Sequence, residues 1–357
     1  MLNLLYNLFQ QINLNEVNVM KKLLMILIFV LFPVICNANS YKIAYVEGGY
    51  FWIFNETLNT IKKTIDGKGL SDVILIPDDL FFSGDWDNSV LLENHIIDIF
   101  TRTDEYDLLL VVGSDATKYA LQHNNGNIPI LSIAVSDPIE SGFIVDIHDS
   151  GIDNFTMHIF PMIYKSMFNV FHSVTNFNKL GIMHLGTDSS YIHSNIKDAI
   201  EISNERGFGF IEYNKLTDSS IEDCLTGLKY LVEEKEIDAF FITSLVCFDW
   251  SVNDVSVLYE YLYDNNIYTF ARNGDNDVKR GALMGFSAVD YIRGSDFITN
   301  MIIDILINNE KPRDIIMVET QKNQISFNLE VARRIGFKPN FSILSASDKI
   351  YNQIKNE

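Results

Sequence analysis

Two short apolar runs limit the fold more than any other feature of this chain: DLLLVV at 107–112 and IDAFFIT at 237–243. Each is too short for a buried helix. Each is also too continuous for a strand with one wet face, so both faces of the strand must be covered, as in a parallel sheet flanked by helices. The surroundings fit that reading. The spacing predicts strands over 42–46, 72–76, 107–112 and 128–135, with helical segments over 52–65, 91–100 and 117–122 between them. The alternation then restarts, with strands over 179–184, 208–213, 237–243 and 267–271 and helices over 191–206, 221–234 and 252–264. Two successive series of this kind imply an α/β chain with two doubly wound, Rossmann-like parallel-sheet lobes. The segment 141–154 reads as the first crossing between them, and no low-complexity linker separates the halves.

The amino end carries a different message. From Met20 the chain reads MKKLLMILIFVLFPVICNANS. Lys21 and Lys22 form a short positive region, an unbroken apolar run of ten residues follows, and Pro33 ends it. Cys36 and Ala38 put small residues at the −3 and −1 positions of a cleavage site. This is the three-part plan of a secretory signal peptide, over residues 1–38 with a possible true start at Met20, and it implies a periplasmic mature chain. Lipid attachment at Cys36 is the less favoured reading, because Ile35 is not small. The remaining cysteines, Cys224 and Cys247, are read as free thiols in preference to a disulfide, and no spacing suggests a metal site.

In open parallel sheets, ligands sit outside the carboxyl ends of the strands. That rule selects Glu47, Gly49, Tyr50 and Trp52, then Gly113, Ser114 and Asp115, then Ser136 and Asp137 in the first lobe. In the second it selects Ser189 and Ser190, Thr243 and Ser244, and Arg272. Gly113–Ser114 and Ser189–Ser190 precede helices, whose first N–H groups bind anions; the same hydroxyls also serve as ordinary caps. Of Tyr50, Phe51 and Trp52, one or two are expected in the cleft, stacked on a flat or apolar part of the ligand. Arg272 suits a bidentate pair with a carboxylate, unless Asp275 or Asp277 already occupies it. Asp290 and Asp137 suit an ammonium group, although Asp137 also starts a turn before Pro138. Glu47 either meets a ligand nitrogen or caps the following helix. Together these groups suit a small zwitterion such as an amino acid.

Other chemistries find little support. A formal net charge of −20 repels phosphate backbones, so nucleic acid is excluded as a partner. The first turn, EGGYFW, lacks the spaced glycines of a dinucleotide site, and no Walker loop, HExxH or GxSxG occurs. The seven histidines show no metal-ligand spacing. His148 and His158 read as surface or hinge residues, and His184 as a strand end beside the cleft. No cofactor, no metal and no catalytic residue is expected.

Three stretches together carry a resemblance. They are DLLLVVGSDATKYAL followed by IPILSIAVSDPIESGFI, then GALMGFSAVDYIRGSDFITNMIIDILINNEKPRDIIM, then ISFNLEVARRIGF. In order and spacing, from Lys42 nearly to the end, the chain resembles the ABC transporter substrate-binding family that includes tryptophan-type amino-acid binders. The block 281–337 is the most specific part. The resemblance implies a type I periplasmic-binding-protein fold with three crossings. One lobe would comprise 40–150 plus about 291–320, and the other about 151–290 plus 321–357. It implies an extracytoplasmic, non-enzymatic solute-binding protein that closes on a small ligand and delivers it to an ABC permease, as a monomer. Two departures, EGGYFW and GSDAT, fall in the expected cleft, so the ligand does not carry over. Two other readings stand beside this one: a ligand-sensing subunit for a membrane signalling protein, and an exported enzyme with a cleft active site.

Overall fold

The computed structural model describes residues 40–357 apart from 87, 161–162, 288–290, 321–322 and 356–357. The signal-peptide reading, Cys36 and Asp290 lie outside the described residues. Two sheets organise the chain. The first contains β1 (Tyr41–Glu47), β2 (Ile74–Leu75), β3 (Phe81–Ser83), β4 (Leu108–Val112), β5 (Ile130–Ile133) and β6 (Phe155–Met157). Its order is β2-β1-β4-β5-β6, with β3 also paired to β1, and all its pairs are parallel. The second contains β7 (Lys179–Leu185), β8 (Gly209–Leu216), β9 (Ala239–Ile242), β10 (Tyr268–Ala271), β11 (Met284–Ser287), β12 (Gln324–Asn328) and β13 (Lys349–Tyr351). Its order is β13-β12-β11-β10-β9-β7-β8, and only β11 and β12 run antiparallel.

The two apolar runs become β4 and β9, and every residue of both strands is buried. Helices close both faces. The helix Trp52–Gly67 buries Trp52, Phe54, Leu58, Ile61 and Ile65, a spacing that puts one apolar stripe toward the core. That stripe shares a core with Ile298, Met301, Ile302 and Ile305 of the helix Tyr291–Leu306. The chain therefore returns to the first sheet after β11 and leaves it again before β12. A separate core fills the second sheet, built around Phe168, Phe171, Phe240, Phe241 and Phe270.

Four local expectations change. The segment 141–154 is not a crossing, because β6 follows it and still pairs with β5 in the first sheet. The strand predicted over 72–76 is only two residues long, β2, and an unpredicted strand, β3, pairs with the following part of β1. The expected helix over 191–206 is two helices, Asp188–His193 and Ile196–Arg206. Asn195 separates them at φ 58°, a left-handed conformation that Asn tolerates. Finally, Cys224 and Cys247 are not free thiols. They form a disulfide with Cα atoms 6.5 Å apart. Both side chains are fully buried, one on the helix Ile221–Lys229 and the other in the turn after β9. No helix among the described residues is long and apolar enough to cross a membrane.

Candidate functional site

The carboxyl ends of β1, β4 and β5 face those of β7, β9 and β10 across a cavity of about 280 Å³. That lies just under the ~300–1,000 Å³ usual for small-molecule sites. The first lobe lines it with Phe51, Phe54, Trp86, Ile133 and Ile298. Glycines make this wall possible. A Cβ on Gly49 would come within 2.6 Å of the Trp86 ring, and one on Gly84 within 2.6 Å of the Gly48 carbonyl. The indole therefore lies flat on the β1 turn, where its Nε1–H donates to the Tyr50 carbonyl at 2.8 Å. Gly113, at φ +86°, similarly brings the β4 turn under Phe54.

The second lobe supplies the charge. Arg272 follows β10 and lines the cavity. Its Nη2–H donates to Ser136 Oγ at 2.6 Å and to Tyr164 Oη at 3.3 Å, and Nη1–H donates to the His193 carbonyl. The Tyr164 ring lies 5.1 Å below the guanidinium. Neither rival carboxylate holds it. Asp275 pairs with Lys349 and accepts from Tyr351 and Ser326. Asp277 is buried, faces Arg280, and is pushed up to about 7 by that burial. Among the described residues Arg272 has no carboxylate within ion-pair distance. His193 beside it is held neutral: burial first, then the neighbouring Arg272 guanidinium, push its imidazole down to about 3.

Hydroxyls complete the polar side. Ser189 Oγ donates across the cleft to Asp115 Oδ1 at 2.9 Å, and Ser244 Oγ donates to Asn273 Oδ1 at 3.1 Å. Ser189–Asp115 and Arg272–Ser136 join loops of the two lobes around the cavity, so the described conformation is a closed one.

Of the residues selected from sequence, Gly113, Ser114, Asp115, Ser136, Ser189, Ser190, Ser244 and Arg272 line this cavity. Six do not. Glu47 is buried behind it, accepting from Tyr45 Oη at 2.5 Å, and burial raises its carboxyl above the usual range. Gly49 lies beneath Trp86. Tyr50 points outward with 41% of its surface exposed, and Trp52 packs inside against Trp250, so Phe51 is the aromatic of that trio in the cavity. Asp137 accepts the Glu140 N–H at 2.9 Å, the turn its Pro neighbour suggested. Thr243 is buried at the end of β9. Trp86, Phe54, Tyr164 and His193 escaped the sequence reading. Trp86 follows β3, so the strand-end rule would have found it had that three-residue strand been visible. Tyr164 opens a helix, where no such rule applies.

One constellation bears on catalysis. His184 Nδ1 lies 3.3 Å from Ser190 Oγ, and its Nε2 lies 3.6 Å from Glu212. Ser190, however, is buried and already committed. Its hydroxyl lies against the Leu185 and Thr187 carbonyls, with one proton for the pair, and accepts the Thr187 N–H in a capping box. His158, also beside the cavity, is paired with Glu319 at 2.8 Å, both buried where the chain passes between the sheets. Among the described residues no cluster of His, Cys, Asp or Glu is placed to hold a metal ion.

Solved structures share this fold. A Streptococcus pneumonia protein described as an ABC domain in complex with L-Trp superposes with a TM-score of 0.71 at 14% identity, covering 86% of this chain and 99% of its own. A conserved domain protein from Vibrio cholerae gives 0.74 at 14% identity, over 87% and 99%. A 5-methylthioribose transporter solute-binding protein from Thermotoga lettingae, in complex with 5-methylthioribose, gives 0.57 at 12% identity, over 85% and 90%. No family model and no curated protein matches the sequence. The fold is that of the type I periplasmic binding proteins.

Proposed function

We propose that the protein is an extracytoplasmic solute-binding subunit of an ABC importer, closing its two lobes around one small ligand with an acidic group and an apolar body, such as an amino acid. One observation carries this reading: the Arg272 guanidinium lines a largely apolar closed cavity with no carboxylate partner among the described residues. A cation in such surroundings favours a ligand that brings its own carboxylate, since charge-assisted pairs of this kind are about twice as strong as neutral hydrogen bonds. Asp115, across the cleft, accepts from Ser189 and would exchange that bond for a ligand ammonium group. Phe51, Phe54 and Trp86 would cover the apolar part. The leader-like segment ahead of the lobes supports export, and similar folds hold L-Trp in one case and 5-methylthioribose in another. A membrane permease is the partner this reading requires.

The commitment of Ser190 and His158 to neighbouring groups favours binding over catalysis. Native mass spectrometry of freshly purified protein tests the proposal. A single non-covalent adduct bearing a carboxylate is expected. An adduct that proves to be a neutral sugar would refute the acidic-ligand part, and turnover of the adduct would refute the non-enzymatic part.

A further inference from the structure

The helix Trp52–Gly67 begins without a cap of its own. Its N-cap residue is Phe51, which has no side-chain acceptor, and its first turn holds no acidic residue. The missing acceptor comes from the other lobe. Asp249, in the loop after β9, is fully buried, and its Oδ2 accepts the Trp52 N–H at 2.9 Å. Its Oδ1 accepts the Ser251 N–H at 2.9 Å and the Ser251 hydroxyl at 2.5 Å, which fixes the carboxylate in place. Next to it, Trp250 lies 5.4 Å from the Trp52 ring across the same boundary, and the Arg280 guanidinium lies over the Trp250 ring at 3.3 Å. The loop is anchored to its own lobe by the Cys224–Cys247 disulfide.

We infer that Asp249 is the latch of the clamp, a positioning residue that biases the two lobes toward closure by capping the first lobe's leading helix. A carboxylate at a helix amino end is stabilised by the aligned peptide dipoles and by the unsatisfied N–H groups there. Opening the lobes removes the cap and leaves that helix end to water. The same loop carries Leu245 and Val246, which line the cavity, so closing the latch also completes the ligand's wall. The inference rests on the clamp reading above, but it concerns the unliganded molecule and is testable without knowing the ligand.

The test uses full-length mature protein, dialysed free of any co-purified ligand, as wild type, Asp249→Ala and Ser251→Ala. Small-angle X-ray scattering reports the open fraction, and hydrogen exchange reports the Trp52 amide. Loss of a cap changes an equilibrium by about 3- to 30-fold. Asp249→Ala should raise the open-to-closed ratio by that order and speed Trp52 exchange to match, and Ser251→Ala should shift both less in the same direction. Exchange that speeds up throughout the first lobe would mean simple destabilisation and would overturn the inference. So would unchanged scattering in Asp249→Ala, or wild type that is already fully open. Failure to find any ligand would count against the proposed function and leave these outcomes intact.

Discussion

The two walls of the cleft are unlike. The first lobe presents a sheet of aromatic and aliphatic groups, Phe51, Phe54, Trp86, Ile133 and Ile298, laid on glycine turns. The second presents a guanidinium, a neutral imidazole and hydroxyls, centred on Arg272, His193, Ser189 and Ser244. Neither wall alone suits a small amphiphile. The first lacks a cation, and the second, although Tyr164, Leu245 and Val246 line it, lacks the first wall's cluster of Phe51, Phe54 and Trp86. A ligand that needs both therefore gains most of its contacts only on closure, and a ligand shifts a conformational equilibrium only by its difference in affinity for the two states. This division of labour between the walls would be the physical basis for the proposed clamp.

The contrast can be broken from the second side first. The disulfide anchors the loop of Leu245, Val246 and Asp249. Replacing Cys224 and Cys247 by Ser should cost about 2–4 kcal/mol of stability by denaturant titration. Arg272→Ala should then weaken ligand binding by about 10- to 200-fold in calorimetry, corresponding to ~1.5–3 kcal/mol for a bond to a charged group, with little change in stability. Arg272→Lys should recover part of that loss, since an ammonium keeps the charge without the fork.

The first wall breaks through its glycines. Gly49→Ala should displace Trp86, costing about 1–3 kcal/mol by overcrowding and shifting tryptophan emission as the indole leaves its seat. If the variant keeps wild-type emission, the close approach of Trp86 to the β1 turn is wrong. A pH-dependent effect concerns the ground beneath the second wall. Asp277 has a folded-state value near 7, above that of an ordinary carboxyl, because it is buried. Its favourable contribution is then fully present below the ordinary carboxylate range and is lost as pH rises toward 7. Asp277→Asn should gain stability relative to wild type between about pH 4 and 8. A difference constant over that range would contradict the assignment.

Much of this was legible in the sequence, and for identifiable reasons. LLLVV at 108–112 and AFFI at 239–242 announce buried parallel strands because nothing polar interrupts them. Arg272 stood out because a cation at a strand end in an acidic chain calls for a partner. What was hidden depends on three-dimensional accidents of packing. A three-residue β3 has no periodicity to detect, so Trp86 went unseen. EGGYFW announced aromatics but not which one turns inward, since that depends on Trp86 covering the glycines and on Trp250 receiving Trp52. Asp249 carries no sequence signal, because its partner N–H lies 197 positions away in the chain. The disulfide was passed over for a related reason: a separation of 23 residues gives no spacing signature.

The central claim is that an acidic small molecule, paired with Arg272, bridges the two walls. A thermal-shift screen of amino acids, other small carboxylates and neutral sugars, run in parallel on wild type and Arg272→Ala, tests it most directly. At a hundredfold excess over its dissociation constant a ligand adds about 2.7 kcal/mol of stability, enough to raise the melting temperature by several degrees. The account predicts a hit among the carboxylates that vanishes in Arg272→Ala. Hits confined to neutral sugars, or a carboxylate hit that survives the substitution, would contradict it.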